Sequence, residues 1–437
     1  MSHSNILRDV VMTEVFCMAF DHNYLPHALV ALRTIHQHDP GMRVQVLALT
    51  DACQSVLTTL NLPNVESITT LEQIERRYPE LPQIKKERST IEYYFTLTPF
   101  FPHYLFETTD FERIIQLDAD LCFYASTLQL RNSSRESSVS IVGHRFSPLY
   151  KGAEVYGIFN VGWISYSRTE ESMHCLERYK NDCTEWCYDR VDDGRFADQK
   201  YLDSWPENYP GLQIINDRGV NLAIWNADNY EISEAGGIIN VDDEPLIFYH
   251  FSGASIDRGG VLTIDIPPRH AQFDSVFVQK IAKPYLQALS SAHAQIIQSS
   301  PFLRSMMRSD LRHPTGRAAM KSRDGWLAES PVPNALGLCL IESSKRRLVG
   351  VPAPSQLDEC NSIRSLIALL EKVGVDALDA DQDRARINED RAERLRVINV
   401  LEAARIELRE RIVALESENS LLQERLRKLE GRAGCET

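Results

Sequence analysis

Short apolar runs rich in β-branched and aromatic residues alternate with longer helical stretches between Glu14 and about Ala254. This alternation is typical of an α/β domain built on a mostly parallel sheet. We therefore predict such a domain, with strands at 15–20, 44–50, 113–117, 139–143, 159–166 and 246–250. Open α/β sheets bind ligands at the carboxyl ends of their strands, so the polar residues that follow these runs mark the expected site.

The 437 residues exceed what one hydrophobic core usually organises. We predict a catalytic domain at 1–290, a partly helical connector at 291–390 and a coiled coil at 391–431. The connector is interrupted by prolines and carries a basic cluster, which either docks on an anionic membrane or acceptor or is simply a solvated linker. The cluster consists of Arg304, Arg308, Arg312, Arg317, Lys321 and Arg323.

A heptad pattern near the C-terminus predicts the coiled coil. Five leucines recur at seven-residue spacing, at Leu401, Leu408, Leu415, Leu422 and Leu429, and Ile398, Ile412 and Leu426 occupy the interleaved positions. Asn419 on the same seam resembles the buried polar residue that sets register in parallel two-stranded coils. We therefore expect a parallel homodimer, the alternative being one amphipathic helix folded back on the catalytic domain.

Composition narrows the classes of function. The formal net charge of -14 argues against nucleic-acid binding, because phosphate backbones select clustered basic residues. The 9 cysteines form no CxxC pair, which indicates reduced thiols and a cytoplasmic protein. No stretch has the length and apolarity of a membrane span, so a membrane-bound acceptor would be met at the inner surface of the membrane.

The most informative segment joins an apolar strand to Asp118-Ala119-Asp120. Residues two apart on extended backbone project to the same side, so both carboxylates can share one divalent cation. Such a cation can bridge two phosphates and stabilise the charge of a leaving nucleotide. An Asp-x-Asp pair alone is weak evidence, because most copies are solvated turn residues.

Several further elements, in order and spacing, resemble the nucleotide-sugar glycosyltransferases of the GT-A fold, and especially the glycogenin- and bacterial galactosyltransferase-like family 8. The resemblance covers roughly the first 250 residues. Its elements are Phe20-Asp21-His22-Asn23-Tyr24, Asp118-Ala119-Asp120, Phe159-Asn160-Val161-Gly162, Asp198-Gln199 and Tyr249-His250-Phe251-Ser252-Gly253.

The resemblance implies a role for each matching residue. It implies that Asp118, Asp120 and His250 ligate Mn²⁺ or Mg²⁺. Asn160 is expected against the donor sugar, and Asp198 and Gln199 beside the reacting carbon. The residues expected at the base and ribose of the nucleotide are Asp21, Asn23, Thr50 and Asp51. As isolated residues these four also fit helix caps and turns.

One position departs from the family pattern. A lysine that holds the diphosphate often follows the histidine by six residues, and here that position is Ile256. Arg258 is the candidate substitute.

The sequence therefore predicts a metal-dependent glycosyltransferase. It would transfer a sugar from a nucleotide-diphosphate sugar to a glycan, a lipid-linked saccharide or a protein. The expected donor is a UDP-hexose. Two alternatives stay open: a catalytically silent scaffold dimerised by the coiled coil, and a sugar nucleotidyltransferase. A sugar nucleotidyltransferase is expected to have a Gly-rich, basic loop after the first strand. This chain has Asp21-His22-Asn23 at that place.

Overall fold

The computed structural model describes residues 13–256, 262–272, 274–306, 327–328, 336–342 and 347–352. The described residues form two compact units. The first comprises those up to Ser252 together with Gln295–Leu303, and the second comprises those of Gly253–Ala294 and those from Arg304 onward.

The first unit alternates strands with helices along most of its length. Its strands are β1 (Glu14–Phe20), β2 (Val44–Ala48), β3 (Val65–Thr70), β4 (Arg113–Leu117), β5 (Leu121–Phe123), β6 (Val139–Gly143), β7 (Phe159–Ser167), β8 (Leu212–Ile215), β9 (Leu222–Ala223), β10 (Ile232–Ala235), β11 (Ile238–Val241), β12 (Glu244–Pro245) and β13 (Phe248–His250). Its helices are α1 (Leu25–His38), α2 (Asp51–Leu60), α3 (Leu71–Arg77), α4 (Leu81–Glu87), α5 (Thr90–Thr96), α6 (Phe100–Thr108), α7 (Leu128–Ser133), α8 (Glu170–Glu185) and α9 (Trp205–Asn208). Three 3₁₀ helices lie at Pro148–Tyr156, Gln199–Ser204 and Ala227–Asn229.

The central sheet of this unit has the order β3-β2-β1-β4-β7-β6-β8 among the described residues. All neighbouring pairs are parallel except the two that involve β7, which runs antiparallel to β4 and β6. Every residue of β2, β4 and β6 is buried, as expected for strands covered on both faces. The predicted α/β fold with a mostly parallel sheet is confirmed.

Two predicted strands, 113–117 and 139–143, have the observed bounds, and the other four differ at their ends. Strand β2 ends at Ala48, because Thr50 instead caps helix α2: its hydroxyl accepts the backbone N–H of Cys53 at 3.3 Å. Strand β13 begins at Phe248, two residues after the predicted start. The prediction missed β3, whose residues are mostly partly exposed and lack a continuous apolar run.

A small sheet of order β5-β13-β9 accompanies the central one. Strand β13 runs antiparallel to β5, with His250 opposite Leu121, and parallel to β9, with His250 opposite Ala223. This pairing places His250 beside strand β5, which directly follows Asp118 and Asp120.

The core of the first unit packs apolar side chains from the central sheet and from helices α5, α6 and α8. It includes Tyr93, Phe100 and Phe101, and also Cys175, Cys183 and Cys187. Six cysteines within the described residues are buried free thiols. Cys175 and Cys183 lie on the buried face of helix α8, where they pack as small apolar side chains.

The second unit contains an antiparallel sheet of order β14-β15-β18-β17-β16 among its described residues. These strands are β14 (Ser255–Ile256), β15 (Leu262–Asp265), β16 (Leu327–Ala328), β17 (Leu336–Glu342) and β18 (Arg347–Pro352). A 3₁₀ helix at Pro268–His270 and a π-helix at Phe277–Ala282 precede α10 (Lys283–Ser299), which is followed by α11 (Leu303–Met306). Helix α10 passes from residues of the second unit to residues of the first at Gln295.

Several predictions fall outside the described residues. They are the coiled coil at 391–431, the side chains of the basic cluster, and Arg258. The predicted boundaries at 290 and 390 also stay predictions. Among the described helices, none combines the length and apolarity needed to cross a membrane.

Candidate active site

The two aspartates lie in the turn between strands β4 and β5. Strand β4 ends at Leu117, and β5 resumes at Leu121. The backbone N–H of Asp118 donates to the carbonyl of Gly162 at 3.4 Å, and the carbonyl of Asp120 accepts the N–H of Phe251 at 2.9 Å. The expectation that extended backbone aligns the pair is therefore wrong: a turn, fixed by two neighbouring strands, brings the carboxylates together.

His250 completes this cluster at the end of β13. Its Nε2 lies 3.1 Å from Asp120 Oδ1 and 3.6 Å from Asp118 Oδ2. One ligand atom from each residue lies within 4.8 Å of the others. The side chain of Asp118 is 34% exposed, while those of Asp120 and His250 are 13% and 5% exposed. The cluster is therefore buried at its base and open on the Asp118 side.

Burial and the charges within the cluster shift the pKa values of all three residues. Burial raises the pKa of Asp118, and the Asp120 and Asp198 carboxylates raise it further against the opposing effect of His250. Burial also acts to raise the pKa of Asp120, but the charge and hydrogen bond of His250 lower it overall. Burial acts to lower the pKa of His250, and the two carboxylates outweigh it, so that pKa is raised. The attraction between the imidazole and the carboxylates thus favours the charged forms of Asp120 and His250.

Two carboxylates and one imidazole, converging at this spacing, fit a divalent cation. Oxygen and nitrogen donors of this kind suit a transition metal such as manganese better than calcium. The donor set is thus compatible with the metal-ligand roles expected for these three residues.

Asn160 and Gly162 lie directly behind the cluster, on strand β7. Asn160 Oδ1 accepts the backbone N–H of Gly162 at 2.9 Å, and its Nδ2 lies 3.2 Å from His144 Nε2. A Cβ atom at Gly162 would meet Asn160 Oδ1 at 2.6 Å and His250 Nδ1 at 3.0 Å. Glycine is therefore needed here for close approach of the backbone to the histidine.

Asp198 and Gln199 begin the 3₁₀ helix Gln199–Ser204. Asp198 is buried, and its Oδ2 accepts the hydroxyl of Thr98 at 2.6 Å. Burial raises the pKa of Asp198 to about 6, although hydrogen bonds from Thr98 and the backbone oppose the rise. Gln199 is partly exposed, and its Nε2 donates to the carbonyl of Tyr156 at 3.0 Å. The charge of Asp198 reaches Asp118, since it contributes to the raised pKa of that carboxyl.

The residues expected at the nucleotide lie after the adjacent parallel strands β1 and β2, whose last residues Phe20 and Ala48 are paired. Asp21 accepts the N–H groups of Asn23 and Tyr24 at 2.9 and 3.1 Å and the Asn23 amide at 2.9 Å. Asp51 is exposed at the first residue of α2. The structure places Asp21 and Thr50 on neighbouring strand ends, and each also makes a local turn or cap contact.

The sequence reasoning missed Thr98, Asn221 and Trp225, which contact Asp198 or His250. None belongs to a matched motif. Thr98 lies before helix α6 and Asn221 before the two-residue strand β9, so no strand end or repeat marked them.

Similarity to solved structures is remote. A galactosyltransferase, LgtC, in complex with donor and acceptor sugar analogues matches with a TM-score of 0.39 and 15% identity, over 64% of this chain and 95% of that chain. The apo form of mouse xyloside xylosyltransferase 1 matches with a TM-score of 0.35 and 14% identity, over 55% of this chain and 98% of that chain.

Sequence comparisons are more specific. The profile described as "Glycosyl transferase family 8" matches residues 15–142. Two proteins of Bacillus subtilis (strain 168), both described as uncharacterized, are similar. YfnD is 30% identical over 229 residues, 52% of this chain and 73% of YfnD. YfnF is 29% identical over 254 residues, 56% of this chain and 83% of YfnF.

The α/β fold, the clustered Asp118, Asp120 and His250, and the sequence matches together define a glycosyltransferase of the GT-A fold. Within that class, the chain belongs to glycosyl transferase family 8.

Proposed function

We propose that this glycosyltransferase is metal-dependent and uses a nucleotide-diphosphate sugar as donor. The proposed donor is a UDP-hexose. Asp118, Asp120 and His250 would hold Mn²⁺ or Mg²⁺. The observation that carries the proposal is the convergence of their three ligand atoms within 4.8 Å. When bound, the cation would neutralise the donor diphosphate and the charge that develops as the nucleotide leaves.

The remaining expected residues are proposed to bind the nucleotide part of the donor. Asp21, Asn23, Thr50 and Asp51 offer carboxylate, amide and hydroxyl groups for the ribose and base, at the ends of β1 and β2. Arg258, outside the described residues, is proposed to bind the diphosphate.

Asn160, Asp198 and Gln199 are proposed at the donor sugar and the reacting carbon. The pKa of Asp198 is raised to about 6, so the carboxyl ionises near neutral pH and can stabilise positive charge on the sugar ring. Its hydrogen bond from Thr98 holds the carboxyl in one orientation.

The acceptor is proposed to be a glycan, a lipid-linked saccharide or a protein. A homodimer through 391–431 and a cytoplasmic enzyme that meets the inner membrane surface remain sequence-based proposals, and nucleic acid is not expected as a partner. The converging Asp118, Asp120 and His250 favour catalysis over a silent scaffold.

Binding of UDP, measured calorimetrically with and without MnCl₂, tests the metal site. We expect Asp120→Asn to lose the Mn²⁺-dependent part of UDP binding. Asp243→Asn is the matched control, because Asp243 is 82% exposed and its carboxylate pairs with Arg218 at the surface. Tight UDP binding that needs no metal and survives Asp120→Asn would contradict the proposal.

A hydrolysis screen of UDP-, GDP- and dTDP-sugars in the presence of Mn²⁺ then identifies the donor. We expect turnover of a UDP-hexose above the others. Turnover of a sugar 1-phosphate with a nucleoside triphosphate instead would favour the nucleotidyltransferase alternative.

A further inference from the structure

The nitrogen of His250 that points away from the two aspartates has its own partner. His250 Nδ1 lies 3.3 Å from the side-chain oxygen of Asn221. Both residues are buried, with Asn221 fully so. Nothing in the family match or in the sequence motifs assigns a role to Asn221.

We propose that Asn221 is a positioning residue for the metal ligand His250, an inference that rests on the proposed metal site. Asn221 Oδ1 accepts the Nδ1–H of the imidazole. A metal-bound imidazole is neutral and carries one N–H, so this hydrogen bond leaves the lone pair of the ring on Nε2, which faces Asp118 and Asp120. The hydrogen bond also makes Nε2 more basic, so its lone pair binds a cation more strongly.

The amide of Asn221 has one orientation that satisfies its neighbours. Its Nδ2 donates to the carbonyl of Gly143 at 3.4 Å, which turns Oδ1 toward the histidine. A flipped amide would place its NH₂ against the Nδ1–H and its oxygen against the carbonyl of Gly143, so two buried contacts would become repulsive.

The backbone of Asn221 is held independently of the histidine. Its carbonyl accepts the Nδ2 of Asn226 at 3.0 Å, and Asn226 Nδ2 also donates to the carbonyl of His144 at 2.9 Å. Asn221 itself adopts a left-handed conformation, with φ 56°. Asparagine and glycine accept that conformation more readily than other residues.

The imidazole ring has little freedom to present its other nitrogen. On one side, a Cβ at Gly162 would lie only 3.0 Å from Nδ1 and 3.2 Å from Cε1, so the backbone is close against the ring. On another, the indole of Trp225 meets the ring edge-on, with centroids 5.1 Å apart at 78°. Asn221 thus selects the tautomer of a ring whose position is set by packing.

The test compares two substitutions that share a backbone preference. Asn221→Gly keeps the left-handed conformation and removes the acceptor, whereas Asn221→Asp keeps the conformation and the acceptor and loses only the donor to the carbonyl of Gly143. Asn61→Gly is the matched control, because Asn61 is also left-handed, with φ 44°, and caps helix α2 away from the cluster. Mn²⁺ affinity is measured by electron paramagnetic resonance of the free ion, and folding by circular dichroism and thermal unfolding.

We expect Asn221→Gly to weaken Mn²⁺ binding by about 10–100-fold, the usual loss when a partner of a metal-bound histidine is removed. Asn221→Asp should bind at least as tightly as Asn61→Gly and wild type. The inference is overturned if folded Asn221→Gly binds Mn²⁺ like wild type, or if folded Asn221→Asp binds as weakly as Asn221→Gly. If Asn221→Gly does not fold, folded Asn221→Asp decides against wild type: an affinity for Mn²⁺ at or above that of wild type supports the inference, and an affinity about 10-fold or more below it overturns the inference.

The same measurements distinguish failure of the proposed metal site from failure of the proposed role of Asn221. Wild type that binds Mn²⁺ no better than Asp120→Asn would remove the metal site and this inference with it. Wild type that binds tightly while Asn221→Gly does so equally would remove only the role of Asn221.

Discussion

Replacing Gly162 with alanine tests how closely the backbone of β7 must approach the candidate metal site. The added Cβ would lie 2.6 Å from Asn160 Oδ1, 3.0 Å from His250 Nδ1 and 3.2 Å from His250 Cε1. The first distance is shorter than any ordinary contact, and both neighbouring side chains are buried, so one of them must move.

The cost follows from these contacts. Forcing one extra methyl group into a packed interior costs about 1–3 kcal/mol, and loss of the Asn160–Gly162 hydrogen bond adds about 1 kcal/mol. We therefore expect the free energy of unfolding to fall by about 2–4 kcal/mol. The functional loss should be larger than stability alone explains, because a shift of about 1 Å in a catalytic group can cost about 100-fold in rate.

Gly143→Ala is a matched control on the neighbouring strand β6. The nearest atom to a Cβ at Gly143 is the Cγ of Arg145 at 3.5 Å, which is an ordinary van der Waals contact. Urea unfolding gives the stability of both variants, and Mn²⁺-dependent donor hydrolysis gives their kcat/KM. Wild-type stability and wild-type kcat/KM in Gly162→Ala would show that the close packing around His250 is not needed.

Three further predictions follow from the same site and from the heptads. The pKa of Asp198, raised from 3.8 to about 6, favours the protonated carboxyl in the folded state. Stability from this group is therefore complete below about pH 4 and lost as pH rises through 6, by at most roughly 3 kcal/mol. Urea unfolding from pH 4 to 8 should show a larger loss in wild type than in Asp198→Asn, because the raised pKa values of Asp118 and His250 contribute to the loss in both proteins. Saturating Mn²⁺, at about 100 times its Kd, should stabilise wild type by roughly 2.7 kcal/mol and leave Asp120→Asn unchanged; an equal Tm for wild type with Mn²⁺ and with EDTA would argue against a bound ion. Removal of residues 391–437 should convert a dimer to a monomer in analytical ultracentrifugation. An unchanged number of subunits, from the measured molar mass, would count against the coiled coil.

Local pattern was sufficient for much of the framework. The apolar runs at 113–117 and 139–143 coincide with β4 and β6, because a strand buried on both faces is a continuous hydrophobic segment in the sequence. The α/β class and the position of Asp118 and Asp120 after a strand follow from the same short-range signal. Strand ends were less predictable, since Thr50 was free to extend a strand or to cap helix α2.

The candidate site depended on contacts between distant segments. Motif order brought Asp118, Asp120 and His250 into one hypothesis, but only the pairing of β13 with β5 places His250 Nε2 3.1 Å from Asp120. Thr98 reaches Asp198 from 100 residues away.

The sequence by itself determined the α/β class, the strands buried on both faces at 113–117 and 139–143, and the carboxylates that follow the first of them, because those properties depend on neighbours along the chain. The tertiary structure decided the surroundings of His250: the Asn221 acceptor, the close backbone of Gly162 and the indole of Trp225. Each of these contacts joins residues far apart in sequence. Their distances are set by how strands pair and pack, and no local periodicity encodes them.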